Sequence, residues 1–289
     1  MSRFNKNLLD IYIYIYIVLS CLVNCSDIII TAHNSVEGKE QRIRIIDGCR
    51  INIKKSDNNI ILSQGESKLY GGIFYYYYFS IKPGTYEITI TTNKNQVSLV
   101  NLLRVEYCHF DSIAIKNKGK ITITDLSHVF YDCKYLKSID LSMLDMSTFT
   151  NFTYIFNGCS GLVSVNFGNL LPQKLKDMSF MFFGCSNLIS INLSNFDTSN
   201  VIDMRHMFYQ CSSLKSINLS YLDTSNVIDM RCMFYGCSNL TSINLSNFDT
   251  SNAIEISWMF YQCSSKINKF IKFRHIKCYQ YGSYVLWLF

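Results

Sequence analysis

Six cysteines are the first residues to weigh for chemistry. Cys133, Cys159, Cys185, Cys211, Cys237 and Cys263 stand 26 residues apart. Thiols so placed could form disulfides, hold a metal or pack. Units stacked about 5 Å apart would bring neighbouring sulfurs within disulfide range. A metal site needs ligands converging on one point, often through a C-x-x-C pair, and this column offers neither. Free cysteine behaves as a small buried hydrophobe, so packing is the role expected of the ladder. Cys49 and Cys108 could pair in an exported chain, although nothing in the spacing specifies it. Cys232 shares a column with His206 and Trp258, a mixture that argues for tolerance rather than function.

His33, His109, His128, His206 and His275 form no HExxH pair and no nucleophile motif. Cys108 and His109 are adjacent, which on a strand sends them to opposite faces. The expectation is a non-enzyme with no catalytic residue, no metal ligand and no cofactor. The uncharged polar residues are more informative. Ser190, Asn192 and Ser194 recur as Ser216, Asn218, Ser220 and as Ser242, Asn244, Ser246. On stacked strands these nine would point outward as a flat sheet of hydroxyls and amides. They are the candidate binding face, for a protein or glycan ligand; the competing reading is a solvated face with amide ladders between units. Asn-x-Ser/Thr sequons at Asn151, Asn192, Asn218, Asn239 and Asn244 follow from the repeat, and their glycosylation depends on a eukaryotic secretory route. The run Tyr75–Tyr78 reads as a simple-sequence strand rather than an aromatic platform.

The elements that would position these residues repeat with the same period. Leu188-x-x-Ile191-x-Leu193-x-x-Phe196 recurs from Leu214 and from Leu240, with the spacing of a leucine-rich repeat strand. Met204, Met207, Phe208 and Cys211 follow at i, i+3, i+4 and i+7, which predicts one face of a short helix. Asp197-Thr198-Ser199-Asn200 between them is rich in turn and cap residues. A lone unit buries too little to offset its ordering, so units must share faces in a one-dimensional stack. The fold class expected is a right-handed α/β solenoid of leucine-rich-type repeats, a parallel strand plus a short helix per coil. A small β-rich domain precedes it.

The units from Leu126 to Cys263 resemble BspA-like leucine-rich repeats, including the 26-residue type abundant in Mycoplasma lipoproteins and in surface proteins of some protist parasites. The resemblance rests on LxSINLSNFDTSNV and DMxxMFYxC and covers nearly half the chain. It implies an extracellular, adhesion-like or partner-binding role and supplies no catalytic residues. Met146-Ser147-Thr148-Phe149 and Leu171-Pro172-Gln173-Lys174 depart from it by replacing the DTSN turn.

Charge and composition narrow the function further. With 48 % hydrophobic and 17 % charged residues, the chain is no disordered polyelectrolyte. Residues 1–120 carry a net +5, residues 121–263 a net −4 and residues 264–289 a net +5. An acidic repeat region argues against nucleic acid, which is held by clustered Lys and Arg. Arg3 and Lys6 precede the apolar stretch Ile11–Val23, too short for a comfortable span and suited to an export signal. Residues 1–25 are therefore expected to be a signal peptide or lipoprotein signal, cleaved before Ser26 or lipidated at Cys21 or Cys25. Residues 26–105 carry β-branched and aromatic segments between turn signals, the expected β-rich domain. Residues 106–265 would be the repeats, with Cys108 in a degenerate first unit. From Lys266 to Phe289 both columns vanish. Read one base out of frame with A/T-rich codons, this tail becomes KSINLSNLDISNVINMVLMFYGCS, another unit, so residues 266–289 are expected to be an unstructured product of a frameshift in the gene or its sequencing. The function expected is non-catalytic binding on the cell surface or in secretion, with membrane attachment through the N-terminus and no feature that calls for an oligomer. An intracellular repeat scaffold is the alternative, and an enzyme with an unrecognised N-terminal site comes last.

Overall fold

The computed structural model describes residues 26–34, 39–44, 49–55, 60–62, 67–70, 74–81, 84–92, 96–99, 108, 110–118, 122–168 and 172–266. The expected export segment, His109, His275 and the tail beyond Lys266 lie outside the described residues, as do the side chains of His33, Cys49 and Tyr75–Tyr78.

The N-terminal half is β-rich. Its strands are β1 (Ser26–Asn34), β2 (Lys39–Arg44), β3 (Cys49–Lys55), β4 (Ile60–Leu62), β5 (Ser67–Tyr70), β6 (Phe74–Ile81), β7 (Gly84–Thr92) and β8 (Gln96–Ser98). β7 lies antiparallel between β1 and β3, and β2, β6 and β5 form a separate sheet. Along β7, Tyr86, Ile88 and Ile90 are buried while Glu87 is exposed, the period of two that seats one face on a core. β10 (Thr122–Asp125) pairs in parallel with β8.

β9 (Ser112–Lys118) joins this region to the repeats. It runs antiparallel to β1 on one side and parallel to β11 (Ser138–Met143) on the other, which in turn pairs with β12 (Ser164–Asn166). The register Ser112, Ser138, Ser164 advances by one unit at each step. One seven-stranded sheet thus runs from β4 to β12, and one hydrophobic core runs from Ile30 to Phe260. Further along, β13 (Ser216–Asn218) pairs with β14 (Ser242–Asn244) in the same register.

The expected strand-plus-helix coil is not what forms. No helix occurs among the described residues, and the sheets are open. The segment from Met204 to Cys211 is a chain of tight turns. The amides of Met204, His206, Phe208 and Gln210 donate to Asp229, Arg231, Met233 and Tyr235 in the next unit, at 2.9, 3.0, 2.8 and 2.6 Å. Those of Met207, Tyr209 and Cys211 donate three residues back, at 3.4, 3.2 and 3.1 Å. His206 and Gln210 have φ of 56°, a left-handed value incompatible with a right-handed helix. The apolar offsets were read correctly as one buried side, since Met204, Met207, Phe208 and Cys211 are all buried. The conformation differs because half the amides serve the neighbouring unit. A backbone that divides its bonds this way needs a unit ahead of it, as a stack does.

Side chains repeat this dependence. Phe130, Phe156, Phe182, Phe208, Phe234 and Phe260 stack ring on ring, with centroids 5.3 to 5.6 Å apart. Each DTSN residue has its own task. Asp197 accepts from the Ser199 amide (3.0 Å), closing the turn. Thr198 is buried and its hydroxyl donates to the Asp223 carbonyl of the next unit (2.9 Å). Asn226 reaches back to the Ser199 carbonyl (2.7 Å). In the two departing units Met146 and Pro172 occupy the buried threonine position.

Candidate binding face

The face expected from the sequence is the outer side of the strand segments. Ser190, Asn192, Ser216, Asn218, Ser242, Asn244 and Ser246 are exposed, and Ser194 and Ser220 are half-buried. Ile217, Leu219, Ile243 and Leu245 alternate with them and are buried, which fixes the outward direction of the polar set. β13 and β14 hold Ser216 opposite Ser242 and Asn218 opposite Asn244. The row Ser190–Asn192 is not paired as a strand to either side. It is tied instead by the Lys215 amide donating to the Ile189 carbonyl (3.1 Å) and the Asn187 amide donating to Ser160 (3.2 Å).

The asparagines of this face do not form the expected amide ladder. Asn192, Asn218 and Asn244 each turn Oδ1 onto the amide two residues on, Ser194, Ser220 and Ser246, at 3.0, 3.1 and 3.1 Å. Ladders lie in neighbouring columns. Asn195 and Asn247 donate to Gly168 and Ser220, and Asn226 and Asn252 to Ser199 and Ser225, at 3.2, 2.6, 2.7 and 2.6 Å. Earlier in the stack Asn166 does bridge to Asp140 across units (3.1 Å). The carbonyl side of each face asparagine is thus committed to its own turn; the Nδ2 donors and the hydroxyls of Ser190, Ser216, Ser242 and Ser246 form the outward surface, while Ser220 Oγ donates to Asn218 Oδ1 (2.8 Å).

The cysteine ladder is a packing element. Cys159, Cys185, Cys211 and Cys237 are buried free thiols, and each Sγ lies 3.0 to 3.2 Å from the carbonyl of the phenylalanine 29 residues earlier, which accepts its weak hydrogen bond. Burial pushes the thiols of Cys159, Cys185 and Cys211 well up, away from the thiolate a nucleophile or metal ligand needs. Cys108 is likewise a free buried thiol. Among the described residues no group of three or more His, Cys, Asp or Glu could hold a metal ion.

Sequence reasoning missed a second aromatic arrangement on the turn side. His128, Tyr154, Phe180 and His206 stack with centroids 4.5 to 4.7 Å apart, and Phe183, Tyr209 and Tyr235 form a parallel column at 4.6 Å. His128, Tyr154, Phe180, His206, Cys232 and Trp258 all have φ between 54° and 60°. A left-handed backbone under bulky side chains costs about 1–2 kcal/mol per residue, and ring stacking of about 0.5–1.5 kcal/mol per pair offsets part of that. The rings cover one another's faces, so this column binds itself. His206 keeps Nδ1 buried without a hydrogen-bond partner, and desolvation, with help from Arg231, lowers its pKa. The signal available in the sequence was glycine: Gly158, Gly184 and Gly236 precede the cysteines at φ of 71° to 75°, where a helix interior would disfavour glycine.

The match to known families follows the same residues. Residues 105–220 match, in six copies, the family model described as BspA type leucine rich repeat region. The repeat region belongs to the BspA-type leucine-rich repeat family. Residues 176–277 also match the family described as Mycoplasma protein of unknown function, DUF285. No curated protein and no solved structure matches the chain. BspA-type repeat regions are generally associated with protein–protein interaction and are typically non-catalytic scaffolds, often at cell surfaces.

Proposed function

We propose that the chain is an exported surface protein that binds a protein or glycan partner through the face bearing Ser190, Asn192, Ser194 and their equivalents one and two units on. The observation that carries this reading is the exposure of uncharged polar residues at the same positions of three units, two of them paired in register. Such a surface presents hydroxyls and amides without charges to desolvate, so it suits a broad contact of modest affinity. The basic start and the apolar stretch Ile11–Val23 support export, with attachment through a lipid as one form of it. Protease applied to intact source cells, followed by an antibody against residues 26–105, tests the location. Loss of signal without lysis is expected. A protein that stays protected until lysis would overturn surface display and favour an intracellular scaffold.

A further inference from the structure

One edge of the repeats carries an apolar stripe that the core does not use. Ile202, Ile228 and Ile254 are 49, 42 and 63 % exposed and occupy one column, where the preceding unit has Lys176. Their backbone is firmly tied, since the amides of Ile202, Ile228 and Ile254 donate to Lys176, Ile202 and Ile228 at 3.0, 2.9 and 2.8 Å. The exposed side chains are therefore held in line about 5 Å apart, the spacing of parallel neighbours.

Two columns of acids border this stripe along the chain: Asp197, Asp223 and Asp249 before it, and Asp203, Asp229 and Glu255 directly after it. Arg231 is taken up by Asp229 (2.6 Å), and Arg205 lies 3.5 Å from Asp203 and 3.8 Å from Asp229. Glu255 shares the field of Arg231, whereas Asp197 and Asp223 form no ion pair among the described residues. In these three units the six acids outnumber Arg205 and Arg231, so negative charge is in excess beside the isoleucines.

We propose that this stripe docks a basic amphipathic segment of a partner protein. Apolar anchors would cover the isoleucines, and Lys or Arg beside them would meet Asp197 and Asp223. A helix fits the spacing: its i, i+3 and i, i+4 neighbours lie about 5–6 Å apart, close to the distance between units, whereas alternate residues of an extended strand lie about 6.5–7 Å apart and drift out of step. Anionic lipid and nucleic acid are repelled by the same carboxylates. The contact spans three units, so the complex is weak and transient. It is separate from the Ser/Asn face, and neither reading depends on the other.

The test uses the full chain and a fluorescent Leu-Lys amphipathic helical peptide, with a Leu-Glu peptide of equal length as its control. Binding of the first and not the second is expected, weakening as salt rises. Ile202→Ser, Ile228→Ser and Ile254→Ser together should weaken it about tenfold or more, while the circular dichroism spectrum at the binding temperature stays that of the parent. Asp197→Asn with Asp223→Asn keeps the turn hydrogen bonds to the Ser199 and Ser225 amides and should weaken binding several-fold while flattening its salt dependence. Equal affinity in the triple isoleucine variant, equal binding of the Leu-Glu peptide, or preference for anionic vesicles over the peptide would overturn the proposal.

Discussion

Replacing Thr224 by valine isolates the bond that joins one unit to the next. The swap is nearly isosteric, and Thr224 is 1 % exposed, so packing is conserved while the hydroxyl is removed. That hydroxyl donates to the Asp249 carbonyl (2.9 Å) and accepts from the Asp249 amide (2.7 Å), bridging both polar groups of one residue in the next unit. Thr198 one unit earlier makes the first of these bonds to Asp223 (2.9 Å). A hydrogen bond contributes about 0.5–1.5 kcal/mol net, and an amide left without an acceptor costs a further ~1–3 kcal/mol. The added methyl returns up to about 0.8 kcal/mol. Thr198→Val should therefore cost about 0–1 kcal/mol and Thr224→Val about 1–4 kcal/mol. Urea unfolding of the full chain gives the difference, and hydrogen exchange locates it, because the Asp249 amide should lose protection in Thr224→Val before its neighbours do. Equal midpoints for the two variants, with the Asp249 amide as protected as in the parent, would refute the reasoning.

Two further outcomes follow from buried groups. A thiol reagent at mild pH should modify Cys232, half-buried on the turn side, before Cys159, Cys185 or Cys211, which should react only after unfolding; equal rates, read by mass spectrometry, would contradict the packed ladder. Desolvation lowers the pKa of His206 below the ordinary 6.5, so the unfolded chain takes up its proton first as pH falls. The stability tied to neutral His206 is present above pH 6.5 and is lost as pH drops towards the folded value, and His206→Phe, matching Phe180 in the column, should flatten that part of the stability profile.

The period, the buried columns and the packing role of the cysteines were legible because each is a matter of side-chain type at a fixed spacing. Phe208 and Cys211 announce an inward side whatever backbone carries them. That backbone was not legible. Offsets of three and four residues describe a helix and a chain of tight turns equally well, and the choice between them rests on where the amides of Met204, His206, Phe208 and Gln210 go. Their acceptors lie in the next unit, which no reading of a single unit contains. Gly184 and Gly236 carried a local hint that Gln210 and Gln262 concealed in alternate units, since those glutamines take the same positive φ. The outward direction of the Ser and Asn columns follows from their alternation with Ile217 and Leu219, while the turning back of Asn192, Asn218 and Asn244 depends on a local competition for Oδ1 that composition does not reveal. The stripe at Ile202, Ile228 and Ile254 was hidden for the opposite reason. Exposed isoleucine beside buried valine looks like core until the fold assigns the two residues to opposite sides.

Far-UV circular dichroism of the purified full chain separates the two kinds of coil, because the amides from Met204 to Gln210 either serve the next unit or close a helix. The spectrum predicted is that of β-strands and turns, without the double minimum of a helix. A helical signal equivalent to one short helix per unit would restore the strand-plus-helix coil. It would take away the inter-unit bonds donated by the amides of Met204, His206, Phe208 and Gln210.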